Sequence, residues 1–167
     1  VYSGEALVAA VGVRMARLKT PGLPLPVAIV GAVATDENWR GKGIASKTVA
    51  IAVEWARERG AAVVMLWGSE HELYRRLGFE LCGSQILASL AAMDLPDRTP
   101  VSIRNGWAPQ LVRLLMARPG GLVIHPEDAN WIGAHRNIQW WWSADASGPV
   151  AYVAFGKGID LSGVVHE

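Results

Sequence analysis

Apolar residues along the chain fall into runs and stripes whose period changes from one segment to the next. Residues 4–17 (GEALVAAVGVRMAR) are apolar without a single period and read as a strand or a helix. Pro21, Pro24 and Pro26 then break the chain. Residues 27–35 (VAIVGAVAT) form a continuous apolar run rich in β-branched side chains, the pattern of a buried strand. After DENW and a glycine loop, the period lengthens to that of a helix over 44–59. Ala45, Val49, Ala52 and Ala56 recur on one face there, and charges gather on the other. Arg57 and Arg59 sit in the last turn, and Gly60 follows as a cap.

Residues 62–67 (AVVMLW) read as a second buried strand. Ser69 and Glu72 have capping-box spacing and start a short helix expected to end at Gly78. Residues 79–90 (FELCGSQILASL) read as a final strand and more. Residues 94–100 (DLPDRTP) are the best linker in the chain, so the expected segments are 1–93 and 101–167. The second segment reads as a strand at 101–104, an amphipathic helix at 108–118 with Pro109 in its first turn, a helical turn near 127–133, and strands near 138 and 149. No short repeat is evident.

Charge and cysteine content narrow the function classes. Sixteen basic residues face fifteen acidic ones, so no broad nucleic-acid footprint is expected. The single cysteine, Cys82, excludes an internal disulfide framework and favours a reducing compartment, so the expected location is the cytoplasm. No apolar run reaches the roughly 18 residues that span a bilayer, and no membrane partner is expected. Val1 to Ala10 lacks a basic n-region, so no signal peptide is read there. The chain opens on Val1 rather than Met, and the expectation is a fragment or a start after missing residues.

The candidate chemistry centres on ENWRGKGIAS, residues 37–46. Strand, glycine-rich loop and helix make a phosphate-cradling order. Gly41 and Gly43 let a ligand approach the backbone, and the first helical turn offers unpaired N–H groups and partial positive charge. Arg40 and Lys42 add charge. An ordinary strand-to-helix turn with solvated cations has the same local composition. A Walker loop does not fit, because G-x-x-x-x-G-K-[ST] is not present around Gly41. A dinucleotide fingerprint does not fit either, because Ser46 stands where its third glycine would be.

Arg40 to Ala45, R-G-K-G-I-A, resembles the acetyl-CoA pyrophosphate loop of the Gcn5-related N-acetyltransferases, whose pattern is [QR]-x-x-G-x-[GA]. Arg40, Gly43 and Ala45 fill its fixed positions. Leu73 to Glu80, LYRRLGFE, is similar to that family's later helix signature, and one helix plus one strand separate the two motifs. The stretch LWGSEHELYRRLGF also resembles the tandem-domain enhanced-intracellular-survival acetyltransferases. The resemblance covers about residues 4–87. It implies a mixed α/β fold, a splayed mixed sheet flanked by helices, with a second, partial segment of the same kind.

It also implies a donor, acetyl-CoA, and an amine acceptor, a small molecule or a peptide. The pyrophosphate is expected on the backbone of Arg40, Gly41, Lys42, Gly43, Ile44 and Ala45. The pantetheine arm is expected along Ala32, Val33, Ala34 and Thr35, where the two strands part. Ser69 is expected as a helix cap first and a cofactor contact second. Tyr74 matches the family's general acid, which protonates the leaving thiolate; a free N–H near Val33 is suited to the oxyanion. Glu70 and His71 are the nearest candidate bases, and both also read as ordinary residues of a helix's first turn. Cys82 and Trp67 read as core residues.

In the second segment, His125, Asp128 and His135 lack metal-ligand spacing, so no metal is expected. Trp140 to Trp142 alternate faces in a strand, which suggests core plus an interface and hence a homo-oligomer. The second segment carries no [QR]-x-x-G-x-[GA] of its own. It reads as a degenerate second copy, expected to pack on the first and supply the missing opening elements. An acyl-CoA-binding module without turnover, using this half for assembly, is the alternative to an N-acetyltransferase.

Overall fold

A computed structural model describes residues 1–84, 102–156 and 164–165. The chain forms two compact units, Val1–Leu87 and Ala88–Glu167. The linker expected at 94–100 lies outside the described residues, as does the rest of the strand expected at 79–90 beyond Ser84.

Unit 1 opens with a short hairpin, β1 (Tyr2–Ser3) and β2 (Ala6–Leu7). The ambiguous apolar stretch then resolves as a strand, β3 (Ala9–Leu18). It pairs antiparallel with β4 (Leu25–Thr35), from Leu18 opposite Leu25 to Ala9 opposite Thr35. Pro26 lies at the start of β4, where its missing N–H costs the ladder little. After a short 3-10 turn, Glu37–Trp39, the chain enters helix α1 (Ile44–Glu58) and returns as β5 (Val63–Leu66), parallel to β4. The sheet order is β3-β4-β5.

Helix α1 packs on β3 and β4 with Thr48, Val49, Ala52 and Ala56 buried. Ala45 is only half-buried; Thr48 takes the expected place in the stripe, its hydroxyl donating to the Ile44 carbonyl at 2.8 Å. Val27, Val30 and Val49 are shut off from solvent. Each contributes about 1.5–3 kcal/mol by burial. Gly60, at φ +79°, ends the helix as expected. Its N–H donates to the Arg57 carbonyl, and the Ala61 N–H to the Ala56 carbonyl, a Schellman closure.

Helix α2 (His71–Arg75) follows β5. The expected capping box does not form: the helix begins after Glu70, and no side chain caps it. Ser69 instead accepts at its carbonyl from the His71 N–H at 2.9 Å, which places it a residue too far upstream to cap. The helix closes at Gly78 (φ +84°), where Gly78 and Phe79 donate back to the Arg75 and Tyr74 carbonyls. Residues 79–84 form no strand.

Unit 2 is an antiparallel sheet in the order β6 (Ile103–Asn105), β7 (Gln139–Asp145), β8 (Gly148–Phe155). A 3-10 turn at Pro109–Leu111 runs into α3 (Val112–Ala117), and α4 (Asp128–Gly133) follows. Leu111, Leu115, Ile132, Trp140, Trp142 and Ala154 centre its core. The tryptophan run alternates as the pattern predicts: Trp140 and Trp142 are 5% and 6% exposed, Trp141 41%. The Trp142 indole donates to the Gly106 carbonyl at 3.0 Å, so its one polar atom is satisfied inside. Asp128 accepts from the His125 N–H at 2.8 Å, and the His135 ring bonds the Trp131 carbonyl at 2.9 Å. Among the described residues no three His, Cys, Asp or Glu side chains gather as a metal set. No helix among them is long and apolar enough to cross a membrane.

Candidate functional site

The site grows from a mismatch between two strands. β5 accompanies β4 only from Val27 opposite Val63 to Val30 opposite Leu66. Gly31–Thr35 continues without it, held by β3 alone. Past Leu66, backbone groups of 31–35 that face away from β3 have no ladder partner among the described residues. The exposure of Ala32 and Ala34 on a central strand follows from this parting.

The same stretch carries a bulge. Between the pairs Ala10–Ala34 and Gly12–Gly31, β3 has one residue and β4 has two, Ala32 and Val33. Ala32 takes φ +50°, a left-handed conformation that an L side chain adopts at a cost. The bulge turns peptide groups at Ala32 and Val33 out of the regular ladder, toward the side where β5 is missing.

β4 leads directly into the glycine loop. Asp36 accepts from the Asn38 N–H at 3.0 Å and so sets the 3-10 turn that aims the chain. Gly41 and Gly43 have φ +73° and +72°, and nothing lies within 4 Å of where their Cβ atoms would be. Gly43 precedes α1, with no side chain capping the helix. Among the described residues, the N–H groups from Gly41 to Ser46 donate to no protein acceptor. A row of free donors at the start of a fifteen-residue helix suits an anion. Arg40 Nε donates to the Thr35 carbonyl at 3.2 Å, and Lys42 Nζ to the Asn38 carbonyl at 3.0 Å while lying 4.6 Å from the Trp39 ring centre. Both cations are therefore tethered beside the loop. Thr35 Oγ1 is buried at the end of β4 without a hydrogen-bond partner, an atom that a polar ligand would satisfy.

Tyr74 stands on α2, half-buried, with its ring over Gly68 and its edge toward Phe79 (centroids 6.0 Å apart, planes at 70°). Its hydroxyl has no hydrogen-bond partner among the described residues. It lines a cleft of ≈ 550 Å³ along β5 and α2 together with Ser69, His71, Phe79 and Glu80. Glu70 does not line that cleft, nor do Ala32–Thr35 or Arg40–Ala45.

Two side chains expected in the core are on the surface. Trp67 is 71% exposed, and Cys82 is exposed on the cleft wall. The reason is shared: β5 is an edge strand among the described residues, and 79–84 lies beside it as irregular chain. Gly68, Phe79 and Glu80 had a sequence signal in the LYRRLGFE stretch and its approach, but only the structure shows that Gly68 makes room for the tyrosine.

Residues 1–82 match the family model described as an acetyltransferase (GNAT) domain. An uncharacterised N-acetyltransferase of Methanocaldococcus jannaschii is 41% identical over 59 residues, covering 32% of this chain and 26% of the relative. A solved acetyltransferase of this kind from Kribbella flavida matches 95% of this chain and 42% of its own, with 22% identity and a TM-score of 0.61. One from Anabaena variabilis matches 92% and 42%, with 18% identity and a TM-score of 0.65. At those identities the solved proteins establish the fold. The chain spans about a quarter of the archaeal relative's length and about two fifths of the two solved ones.

Proposed function

This chain belongs, through residues 1–82, to the Gcn5-related N-acetyltransferase superfamily, and from that premise we propose that it transfers an acetyl group from acetyl-CoA to a primary amine by direct attack in a ternary complex. The observation that carries the reading is the parting of β4 from β5 immediately before a helix start with free donors. An acyl donor of this type needs an extended edge for its amide-bearing arm and an anion cradle for its pyrophosphate. Residues 31–35 and 41–46 supply these one after the other along the chain.

Each residue then has a definite task. The N–H groups from Gly41 to Ala45 hold the pyrophosphate, with Arg40 and Lys42 beside it. Ala32, Val33 and Ala34 bond the arm, and Thr35 Oγ1 offers a further donor or acceptor at the strand end. A peptide N–H released by the bulge at Ala32–Val33 donates to the oxyanion as the amine attacks the thioester carbon. The carbon–sulfur bond breaks, and the Tyr74 hydroxyl gives its proton to the departing thiolate. The attacking amine must first lose a proton; His71 and Glu80 on the cleft wall are placed to accept it, and Glu70 acts only at longer range.

Unit 2 fits the same proposal as the opening part of a second copy. Its order of strand, two helices and a strand pair matches the elements that precede a cofactor loop in this fold, and no such loop follows them in the sequence. The tandem reading rests on that order.

Calorimetric titration with acetyl-CoA and with desulfo-CoA tests the donor site. Both are expected to bind the native chain and neither to bind an Arg40→Glu, Gly43→Glu double variant that retains its circular dichroism. Equal binding by native and variant chains would refute the loop as the pyrophosphate site. Binding without turnover on any amine would leave an acyl-CoA-binding module.

A further inference from the structure

Large apolar side chains stand in solvent around one cleft of unit 1. Trp67 is 71% exposed, Leu81 66% and Val63 43%, and all three line the same ≈ 550 Å³ space as Tyr74. Scattered exposed hydrophobics are ordinary; a group of them around a concave wall that also holds the proposed acid is not. The volume is in the range of small-molecule sites.

The charges on that wall are unequal. Arg75 is engaged by Glu72 at 3.4 Å across one helical turn. Glu80 has no ion-pair partner among the described residues, so it leaves the wall with an unbalanced negative charge. An ammonium is drawn to such a wall, whereas a phosphate or carboxylate on the acceptor is repelled. A sugar or a polyamine would set its own polar groups against Trp67 and Leu81 and lose their hydration without return.

Resting on the acetyl-transfer reading, we propose that this cleft is the acceptor site and that its acceptor is a primary amine on an apolar, non-anionic body, an arylalkylamine in type. The apolar body lies against Trp67 and Leu81. The nitrogen lies toward Glu80 and the Tyr74 hydroxyl.

Cys82, the chain's single cysteine, is exposed on the wall of the cleft and reports on its occupancy. With acetyl-CoA in excess, phenylethylamine is expected to slow alkylation of Cys82 by iodoacetamide. It is also expected to be acetylated with a kcat/KM at least about tenfold above those of glucosamine and spermidine, the discrimination an apolar pocket gives for lost contact. Trp67→Ala and Leu81→Ser should each bring that ratio toward one while acetyl-CoA affinity stays constant. A preference for glucosamine or spermidine, or Cys82 reactivity indifferent to phenylethylamine, overturns the proposal and leaves acetyl transfer standing. Cys82 that resists alkylation in the free chain would mean that the polypeptide itself fills the cleft, which also overturns it. A chain that binds no acetyl-CoA overturns the transfer reading itself, and this one with it.

Discussion

The ring of Tyr74 occupies the space where residue 68 would carry a side chain: a Cβ there would lie 2.8 Å from Cε2 and 3.2 Å from the hydroxyl oxygen. Gly68 therefore sets the position of the proposed acid. Gly68→Ala must push the ring outward, since the contact is too close to be absorbed in place. The expected result is a fall in kcat of about tenfold or more with acetyl-CoA affinity unchanged, because a displaced acid loses its reach without altering the pyrophosphate loop. Tyr74→Phe should lower kcat by about 10²- to 10⁴-fold. Steady-state kinetics on both variants checks the pair, and unchanged turnover in Tyr74→Phe removes Tyr74 from the chemistry.

Ala32 holds its left-handed backbone at the bulge of β4. An L residue there is strained by about 1–2 kcal/mol, and glycine is not, though glycine loosens the unfolded chain by about 0.4–1 kcal/mol. Ala32→Gly should thus be neutral or stabilising by up to about 1 kcal/mol, and Ala32→Val clearly destabilising. Urea unfolding monitored by circular dichroism separates the two. Equal stability of the glycine and valine variants would show that the bulge is not strained.

Gly133 gives the opposite sign to the usual rule for helices. Alanine commonly stabilises a helical position relative to glycine by about 0.5–1 kcal/mol. Here an added methyl would collide with the indole of Trp107, which packs 4.8 Å from Trp140 in the core of unit 2. Gly133→Ala is expected to destabilise by about 1–3 kcal/mol through overpacking. A rise in the thermal midpoint would contradict the close fit.

Asp145 closes the β7–β8 turn by accepting from the Ser147 hydroxyl at 2.6 Å and the Ser147 N–H at 2.7 Å. These bonds, the hydroxyl's first, favour the carboxylate and hold its pKa below the ordinary 3.8. Since the folded value is the lower one, the stabilisation is complete above the ordinary carboxylate pKa and disappears as pH falls through the folded value beneath it. The difference in melting temperature between the native chain and Asp145→Ala should stay level down to about pH 4 and shrink at lower pH. A difference that widens under acid would mean that the turn prefers the protonated form.

The extent to which the sequence foretold the molecule varies with the range of the interaction. Val27–Thr35, the α1 stripe and the glycine closures at 60 and 78 were legible because period, β-branching and left-handed glycine are local properties. The 9–18 stretch was not, because an apolar run without a period fits a strand and a helix equally, and pairing with β4 decided it. The Ser69 cap failed because S-x-x-E spacing says nothing about where the chain leaves β5. The bulge at Ala32, the burial of Thr35 Oγ1 and the surface position of Trp67 depend on strand register and on which edge has a neighbour, which no single stretch encodes.

The parting of β4 and β5 also has a kinetic side. β3 and β4 are neighbours through the short connection 19–24, so their hairpin closes a small loop. β5 must find β4 across residues 36–62, helix included, and parallel pairing over such a separation is slow to nucleate. The edge proposed for the acyl donor is complete only when that last pairing has formed. In a refolding experiment, donor binding should therefore appear after most of the helical signal has returned, as the latest event in unit 1.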